Sequence, residues 1–123
     1  MTQRIALVTG GMGGIGTAIC RRLAQAGHVV VANGLPGDPR KDAWLAEQRK
    51  AGFAQIHVYD ADVSDFAATG AMVQNIVAEL GPIEIVINNA GIIRDNVMRR
   101  MPVEDWLAVL NSNLSSAWFV TKH

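Results

Sequence analysis

The sequence predicts an α/β fold in which helices flank an open parallel sheet. Three observations lead to this prediction. Short apolar runs alternate with amphipathic stretches in the order β-α-β-α-β-α-β-α. The runs are continuous and rich in β-branched residues, as is typical of parallel strands buried on both faces. A glycine-rich turn at residues 9–16 joins the first run to the first amphipathic stretch. Such an alternation forms an open sheet with right-handed crossovers.

The first half of the chain contains two predicted strands and two predicted helices. Residues 5–8 (IALV) form the first strand, and residues 15–26 form a helix whose apolar positions share one face. Residues 29–32 (VVVA) form the second strand. The loop at residues 33–39 follows, with two glycines and two prolines, and residues 42–51 form the second helix.

The second half repeats this alternation. Residues 55–59 form the third strand, and Ser64 is the expected cap of a long third helix. Gly70 lies inside that helix at a conformational cost that the sequence does not explain. Residues 83–87 form the fourth strand. Pro102 suits the first position of the last helix, which runs towards the C-terminus.

The composition predicts a single globular domain over residues 1–123. Half of the residues are hydrophobic, and eleven basic residues balance eleven acidic ones. This balance argues against a nucleic-acid partner or a membrane surface, and no apolar run has the length of a membrane span. Cys20 is the single cysteine, and its position inside the first helix favours a packing role. A cytoplasmic protein without a metal site is therefore expected.

The glycine turn is the strongest chemical signal. A strand, a glycine turn and a helix N-terminus form a phosphate cradle, because bare backbone and free N–H groups can approach a pyrophosphate. A flexible loop in a glycine-rich chain is the alternative. Two spacings fit this turn: G-x-G-x-x-G through Gly11, Gly13 and Gly16, and T-G-x-x-x-G-x-G through Thr9, Gly10, Gly14 and Gly16.

The end of the second strand predicts which nicotinamide cofactor is bound. An acid at this point would accept a hydrogen bond from the ribose of NAD, but the strand ends at residues 32–34 (ANG) without one. Asp38 comes later, in the loop. Arg40 and Lys41 follow and could pair with the 2′-phosphate of NADP. NADP is therefore expected, the alternative being that both cations are ordinary solvated charges.

The third and fourth strands are each followed by polar residues at their carboxyl ends, where ligands bind in open α/β sheets. Asp62 could accept a hydrogen bond from an adenine amino group, or it could cap the next helix. Residues 88–91 (NNAG) combine small residues with amides that can brace neighbouring backbone, although a plain turn would use the same residues.

Asn113 lies beside the apolar stripe of the last helix. Because an unpaired buried amide is costly, Asn113 is either a satisfied structural amide or an amide that holds water or backbone near a reacting centre. The position alone favours the structural role. The stripe itself is formed by Trp106, Leu110, Leu114, Ala117 and Val120.

These motifs together resemble the short-chain dehydrogenase/reductase family. The similarity covers the whole chain and rests on the glycine turn, Asp62-Val63, residues 88–91 and Asn113. Within that family, the sequence is most similar to NADPH-dependent acetoacetyl-CoA reductases of polyhydroxybutyrate synthesis, with 3-oxoacyl-carrier-protein reductases as their close relatives. The segments that carry this narrower resemblance are residues 1–6, 9–20, 39–40, 44–45, 88–92, 94–95 and 113–114.

The resemblance implies roles for individual residues. The turn that carries Gly10 and Gly16 would hold the pyrophosphate, and the adenosine half and the nicotinamide ribose would lie along the loops. The cofactor contacts implied are Gly13, Gly14 and Ile15 with the pyrophosphate, Leu35 and Arg40 with the 2′-phosphorylated ribose, Ala61, Asp62 and Val63 with the adenine, and Asn89, Ala90, Gly91, Ile92 and Ile93 with the nicotinamide ribose.

The resemblance also implies a substrate side and a catalytic group. Asp95 would lie near an acyl-CoA substrate, and Asn113 would be the first member of the family's Asn-Ser-Tyr-Lys tetrad. The sequence departs from the family here. Its only tyrosine is Tyr59, and the residue four positions later is Val63 rather than lysine.

The missing tetrad members predict that these 123 residues are the N-terminal part of a longer enzyme. The expected architecture is the N-terminal half of a Rossmann-type α/β fold, with four parallel strands in the order 3-2-1-4. The whole enzyme is then expected to be a homotetramer, and the fragment alone to be inactive. A complete, non-catalytic nucleotide-binding module is the alternative, but it would leave the apolar fourth strand as an open edge.

Overall fold

Four parallel strands form one sheet in the order β3-β2-β1-β4 in the computed structural model, which describes residues 3–92 and 94–123. The predicted strand order is therefore confirmed. Val8, at the end of the central strand β1, pairs with Ala32 of β2 and Ile87 of β4, so the carboxyl ends of three strands meet at one level. The strands are β1 (Ile5–Val8), β2 (Val29–Gly34), β3 (Ile56–Asp60) and β4 (Ile85–Ile87).

Helices join the strands, and a longer helical segment follows the last strand. The connecting helices are α1 (Gly14–Gln25), α2 (Lys41–Lys50) and α3 (Phe66–Glu79). After a short 3₁₀ turn, α4 (Val103–Val109) runs through a π-helical turn (Leu110–Ser115) into α5 (Ser116–Lys122). Pro102 is the N-cap of α4 rather than its first residue.

The hydrophobic core consists of two clusters, one on each face of the sheet. On one face Leu7 and Val31 pack with residues of α3 and α5, such as Ile76 and Val120. On the other face, strand residues pack with α1 and α2. The buried members of this second cluster are Val8, Cys20, Ala24, Val30, Ala32, Trp44 and Ile56.

Cys20 has the packing role that the sequence predicts. Its side chain is fully buried, and burial raises the pKa of the Cys20 thiol to about 12. The Sγ atom lies 3.7 Å from the carbonyl oxygen of Gly11, to which the thiol donates a weak hydrogen bond. Because the thiolate is the reactive form of cysteine, this residue stabilises the glycine turn and is chemically inert near neutral pH.

The prediction that Ser64 caps the third helix is wrong. Asp65 is the N-cap of α3, and its Oδ1 accepts a hydrogen bond from the backbone N–H of Ala68 at 3.0 Å. Gly70, which the sequence leaves unexplained, has a packing reason. A Cβ atom at residue 70 would lie 2.7 Å from Cε1 of His123, so a larger residue would require the imidazole ring to shift.

The apolar stripe predicted along the last helix is buried only at its far end. Val120 of α5 is buried against α3, but Trp106 is 57% exposed and Leu114 is 67% exposed. The spacing of apolar residues identifies a face that favours burial, but it does not say which element covers that face. Among the described residues, no helix is long and apolar enough to cross a membrane.

Candidate cofactor-binding site

A cleft of about 250 Å³ opens at the carboxyl ends of the strands. It lies at the end of β1, which has β2 on one side and β4 on the other, so the strand order reverses direction there. Ligands of open α/β sheets bind at such a point. Four loops supply its walls. The described residues that line it are Gly10, Met12, Gly13, Asn33, Gly34, Leu35, Asp38, Arg40, Ala61, Asp62, Val63, Ala90, Gly91, Ile92 and Ser112.

Three glycines of the turn are required by the fold itself. Gly10 has a φ of +61°, and a Cβ there would lie 3.0 Å from the Cα of Ala90. A Cβ at Gly11 would lie 2.7 Å from the Cβ of Ala32. At Gly16 it would overlap the carbonyl oxygen of Gly10 and lie 2.7 Å from the Cα of Gly11. These glycines let the turn fold back against the start of α1.

The remaining two glycines of the turn have no such requirement. A Cβ at Gly13 would lie at an ordinary 3.6 Å from the oxygen of Gly10, and one at Gly14 would meet no atom of the described residues within 4 Å. Both stand at the start of α1, where the N-cap residue Gly13 makes no side-chain capping bond. The N–H of Gly13 already donates to the carbonyl oxygen of Gly10 at 3.3 Å, whereas the first N–H groups of α1 have no intrahelical acceptor. Bare backbone with such N–H groups suits an anion, so this end of the cleft fits a pyrophosphate.

The loop after β4 braces the glycine turn. The buried Oγ1 of Thr9 accepts hydrogen bonds from the backbone N–H groups of Asn89 and Ala90, each at 3.0 Å. The side-chain Nδ2 of Asn89 donates to the carbonyl oxygen of Gly10 at 3.2 Å. The predicted bracing of backbone by an amide at residues 88–91 is therefore confirmed. Asn89 holds the backbone of Gly10 and is not among the described residues that line the cleft, so it supports the turn from behind the cleft.

Asn33 is a functional position that the sequence reasoning missed. Its side chain is buried, its Oδ1 accepts a hydrogen bond from Gly10 N–H at 3.3 Å, and its Nδ2 donates to the carbonyl oxygen of Ala61 at 3.0 Å. One amide near the end of β2 thus connects the loops after β1 and β3. The sequence does contain a signal for this role, since Asn33 is a polar residue that directly follows the apolar run at residues 29–32.

We expect Thr9→Val to destabilise the protein, because the variant leaves the N–H of Ala90 without its acceptor and the N–H of Asn89 with only the carbonyl oxygen of Ile87, at 3.1 Å. The free energy of unfolding should fall by about 1–3 kcal/mol, as for other buried groups that lose a partner. Thr121→Val is the matched control, since Thr121 is exposed and its Oγ1 accepts only a long 3.4 Å bond from Asn88. Urea unfolding measures both, and equal losses would contradict the bracing role.

Arg40 lines the cleft and is held by Asp38. The Arg40 Nη2 and Nε atoms donate to the two carboxylate oxygens of Asp38 at 2.8 and 3.1 Å. These hydrogen bonds lower the pKa of Asp38 to about 2, so its carboxyl is ionised at neutral pH. Lys41, the second predicted cation, instead donates to Asp60 at 3.0 Å and is not among the described residues around the cleft.

Asp62 lines the cleft beside Ala61 and Val63, as the sequence predicts for an adenine site. Its Oδ1 accepts hydrogen bonds from the backbone N–H of Ser64 at 3.0 Å and from the hydroxyl of Ser64 at 2.6 Å. The alternative prediction, that Asp62 caps the next helix, is wrong because Asp65 has that role.

The cleft brings together most of the predicted cofactor residues. Gly14, Ile15 and Gly16 are not in its described lining, since the first two lie on the open side of the turn and Gly16 is buried beneath it. Ile15 is 73% exposed, so it does not belong to the core face of α1 on which its spacing places it. The predicted contact Ile93 lies outside the residues that the structure describes.

A second cleft of about 350 Å³ adjoins the first at Ile92, which lines both. It contains Asp95, which the resemblance places near the substrate, and Asn113, which the resemblance makes a catalytic residue. Asn113 lies in the π-helical turn, a feature that is frequent at functional sites. Its Oδ1 accepts from Ile92 N–H at 2.7 Å and its Nδ2 donates to Ile92 O at 3.0 Å. Asn113 therefore fixes the backbone between the two clefts.

Comparison with known proteins identifies the class. The family model described as short chain dehydrogenase matches residues 4–123, and the chain belongs to this family. It is 51% identical to nodulation protein G of Azospirillum brasilense and 50% identical to an acetoacetyl-CoA reductase of Cupriavidus necator, each over 122 residues. These alignments cover 99% of this chain and 49% of each relative, so the chain spans about half of their length.

Solved structures show the same fold. A short-chain dehydrogenase/reductase mutant of Serratia marcescens superposes with a TM-score of 0.86 at 29% identity, covering 97% of this chain and 48% of that one. A putative short-chain dehydrogenase of Novosphingobium aromaticivorans superposes with a TM-score of 0.91 at 27% identity, covering 97% and 43%. The predicted fold class and family are thus confirmed.

Proposed function

We propose that the protein to which this chain belongs is an oxidoreductase that reduces acetoacetyl-CoA to 3-hydroxybutyryl-CoA with NADPH. The observation that carries the proposal is the 50% identity to an acetoacetyl-CoA reductase along 99% of the chain. The cleft supports it, because its glycine turn suits a pyrophosphate and its wall holds the guanidinium of Arg40.

In this proposal NADPH, when bound, supplies the hydride, and the residues of this chain bind and orient it. Backbone N–H groups at Gly14 and Ile15 receive the pyrophosphate at the start of α1, and the backbone of Gly13, whose own N–H donates to the oxygen of Gly10, lies against it. Arg40, beside Leu35, receives the 2′-phosphate. Residues 61–63 border the adenine, and the backbone of residues 90–92, which Asn89 supports from behind the cleft, borders the nicotinamide ribose.

The second cleft is the proposed place for the acyl-CoA substrate. Asp95 and Asn113 line it, and Ile92 separates it from the cofactor cleft. Because both polar atoms of the Asn113 side chain hold Ile92, this residue keeps the cofactor wall and the substrate wall in a constant relation. Such positioning of two reactants is a large contribution to catalysis.

The proton for the reduction comes from outside these 123 residues in this proposal. Tyr59 is the only tyrosine, and it is not among the described residues that line either cleft. Burial and a hydrogen bond to Glu79 raise the pKa of Tyr59 to about 12, which is too high for an efficient general acid near neutral pH.

We therefore expect the 123-residue chain alone to oxidise no NADPH in the presence of acetoacetyl-CoA. The loss of absorbance of the reduced nicotinamide measures this, with the whole protein as the positive control. Turnover by the isolated chain above the background rate would show that its own residues complete the active site.

The whole protein tests the proposed reaction directly. With NADPH and acetoacetyl-CoA, it should form 3-hydroxybutyryl-CoA, which is identified by mass spectrometry of the product. Turnover of a 3-oxoacyl-carrier protein but not of the CoA thioester would show that the substrate is the carrier-protein thioester and not acetoacetyl-CoA. NADPH binding without turnover of either would indicate a non-catalytic nucleotide-binding module.

We also propose that the whole protein acts in the cytoplasm as a homotetramer. Large apolar side chains of the last helical segment support an assembly, because Trp106, Leu107, Leu114 and Trp118 are each at least 47% exposed. Light scattering of the whole protein measures its mass, and a monomer would contradict this part of the proposal.

A further inference from the structure

The ion pair between Asp38 and Arg40 occupies one complete edge of the guanidinium. Nε and Nη2 of Arg40 face the two oxygens of Asp38, and the backbone N–H of Arg40 donates to Asp38 Oδ1 at 2.9 Å. The Asp38 side chain is only 10% exposed, whereas the Arg40 side chain is 77% exposed. The carboxylate is therefore a built-in partner, and only the opposite, end-on edge of Arg40 remains for an incoming anion.

The other charged residues around the cleft do not make up for the Arg40 charge that Asp38 offsets. Its described lining holds two carboxylates, Asp38 and Asp62, and a single cation, Arg40. Lys41 adds little, because Asp60 pairs with it at 3.0 Å. A 2′-phosphate near Arg40 would thus meet a neutralised guanidinium and a nearby carboxylate that repels it.

We propose that Asp38 is a specificity-determining residue that weakens the preference of this site for NADPH over NADH. This inference rests on the proposed function and identifies how that function is tuned. Asp38 orients Arg40 in the cleft but cancels much of its charge, so the 2′-phosphate gains less than it would from an unpaired arginine. The unphosphorylated ribose of NADH meets no such repulsion from the carboxylate.

Two adenosine nucleotides isolate this effect, since 2′,5′-ADP is 5′-AMP with one added phosphate at the 2′ position. Isothermal titration calorimetry gives the Kd of each for the whole protein and for Asp38→Asn. Asparagine is isosteric and its Oδ1 still accepts the backbone N–H of Arg40. We expect the ratio of the 5′-AMP Kd to the 2′,5′-ADP Kd to rise about three- to tenfold, as for an exposed charge at close range.

Matched variants control for net charge and for the amide. Asp42→Asn removes the same charge from an exposed position that is not in the described cleft lining, and it should change the ratio by less than about twofold. Asp38→Ser removes the charge without adding an amide, and it should raise the ratio as Asp38→Asn does. The increase should shrink in high salt, because the pair is open to solvent on the arginine side.

The possible results separate this inference from the proposed function. A ratio that is unchanged or lower in both Asp38 variants would overturn the specificity role of Asp38, even if the unchanged protein prefers 2′,5′-ADP. Equal affinity of the unchanged protein for both nucleotides, with a ratio that rises in the Asp38 variants, would support the role of Asp38 and contradict a native NADPH preference. Binding of neither nucleotide would overturn both.

Discussion

Gly16→Ala should abolish NADPH binding and destabilise the protein, whereas Gly13→Ala should weaken binding in a protein that remains folded. A Cβ at residue 16 would overlap the carbonyl oxygen of Gly10 and lie 2.7 Å from the Cα of Gly11, and backbone cannot move aside as a flexible side chain can. We expect the free energy of unfolding to fall by about 1–3 kcal/mol, as for other overpacked sites.

Gly13 provides the contrast because it lines the cleft without being confined by the fold. Its φ of −75° and ψ of 178° suit alanine, and the nearest atom to a Cβ would be at 3.6 Å. The unfolding free energy should therefore change by less than about 1 kcal/mol. NADPH should bind at least about tenfold more weakly, because a methyl group would stand between the backbone and the pyrophosphate.

Urea unfolding and NADPH titration on the same preparations measure the two effects separately. If Gly16→Ala bound NADPH with the affinity of the unchanged protein, the proposed cradle would be in the wrong place. If Gly13→Ala bound NADPH normally, the pyrophosphate would not lie over the start of α1.

Arg40→Ala should weaken NADPH binding about ten- to a hundredfold and change NADH binding little. Arg40 is the cation in the described lining of the cleft, and a charge-assisted hydrogen bond to a phosphate contributes about 1.5–3 kcal/mol. The substitution also leaves the ionised carboxylate of Asp38 alone beside the 2′-phosphate, which adds repulsion.

Lys41→Ala is the matched control for Arg40→Ala. Lys41 carries the same charge one residue later, but Asp60 pairs with it, and the cleft lining as described does not include it. Its loss should reduce NADPH affinity by less than about threefold. Equal losses for NADPH and NADH in Arg40→Ala would show that Arg40 does not recognise the 2′-phosphate, and the proposed cofactor would then be wrong.

The sheet was predictable because its two central strands, β1 and β2, are buried on both faces. The runs VVVA and IALV are apolar at every position, and only a central parallel strand needs such a run. The strand order followed from the family resemblance. The glycine turn was predictable because a tight turn with closely approaching backbone needs glycine at fixed positions, and the sequence has glycines at that spacing. A Cβ atom at Gly10 or at Gly16 would lie 3.0 Å or less from backbone atoms of other residues, so the structure needs glycine at both positions.

What the sequence does not specify depends on neighbours distant in the chain. Asn33 binds the backbone of Gly10 and Ala61, and no local pattern announces those partners. Likewise, the close approach of Gly70 to the ring of His123 joins residues more than fifty positions apart. Helix periodicity identified an apolar face at Trp106 but not its exposure, because burial depends on the element that covers it.

A crystal structure of the whole protein with NADP⁺ would show whether this cleft holds NADPH through the glycine turn and Arg40. We expect the pyrophosphate on the backbone of Gly13, Gly14 and Ile15 and the 2′-phosphate within hydrogen-bond distance of the Arg40 guanidinium. A nucleotide bound with its 2′-phosphate away from Arg40, or bound outside this cleft, would show that the proposed site is wrong.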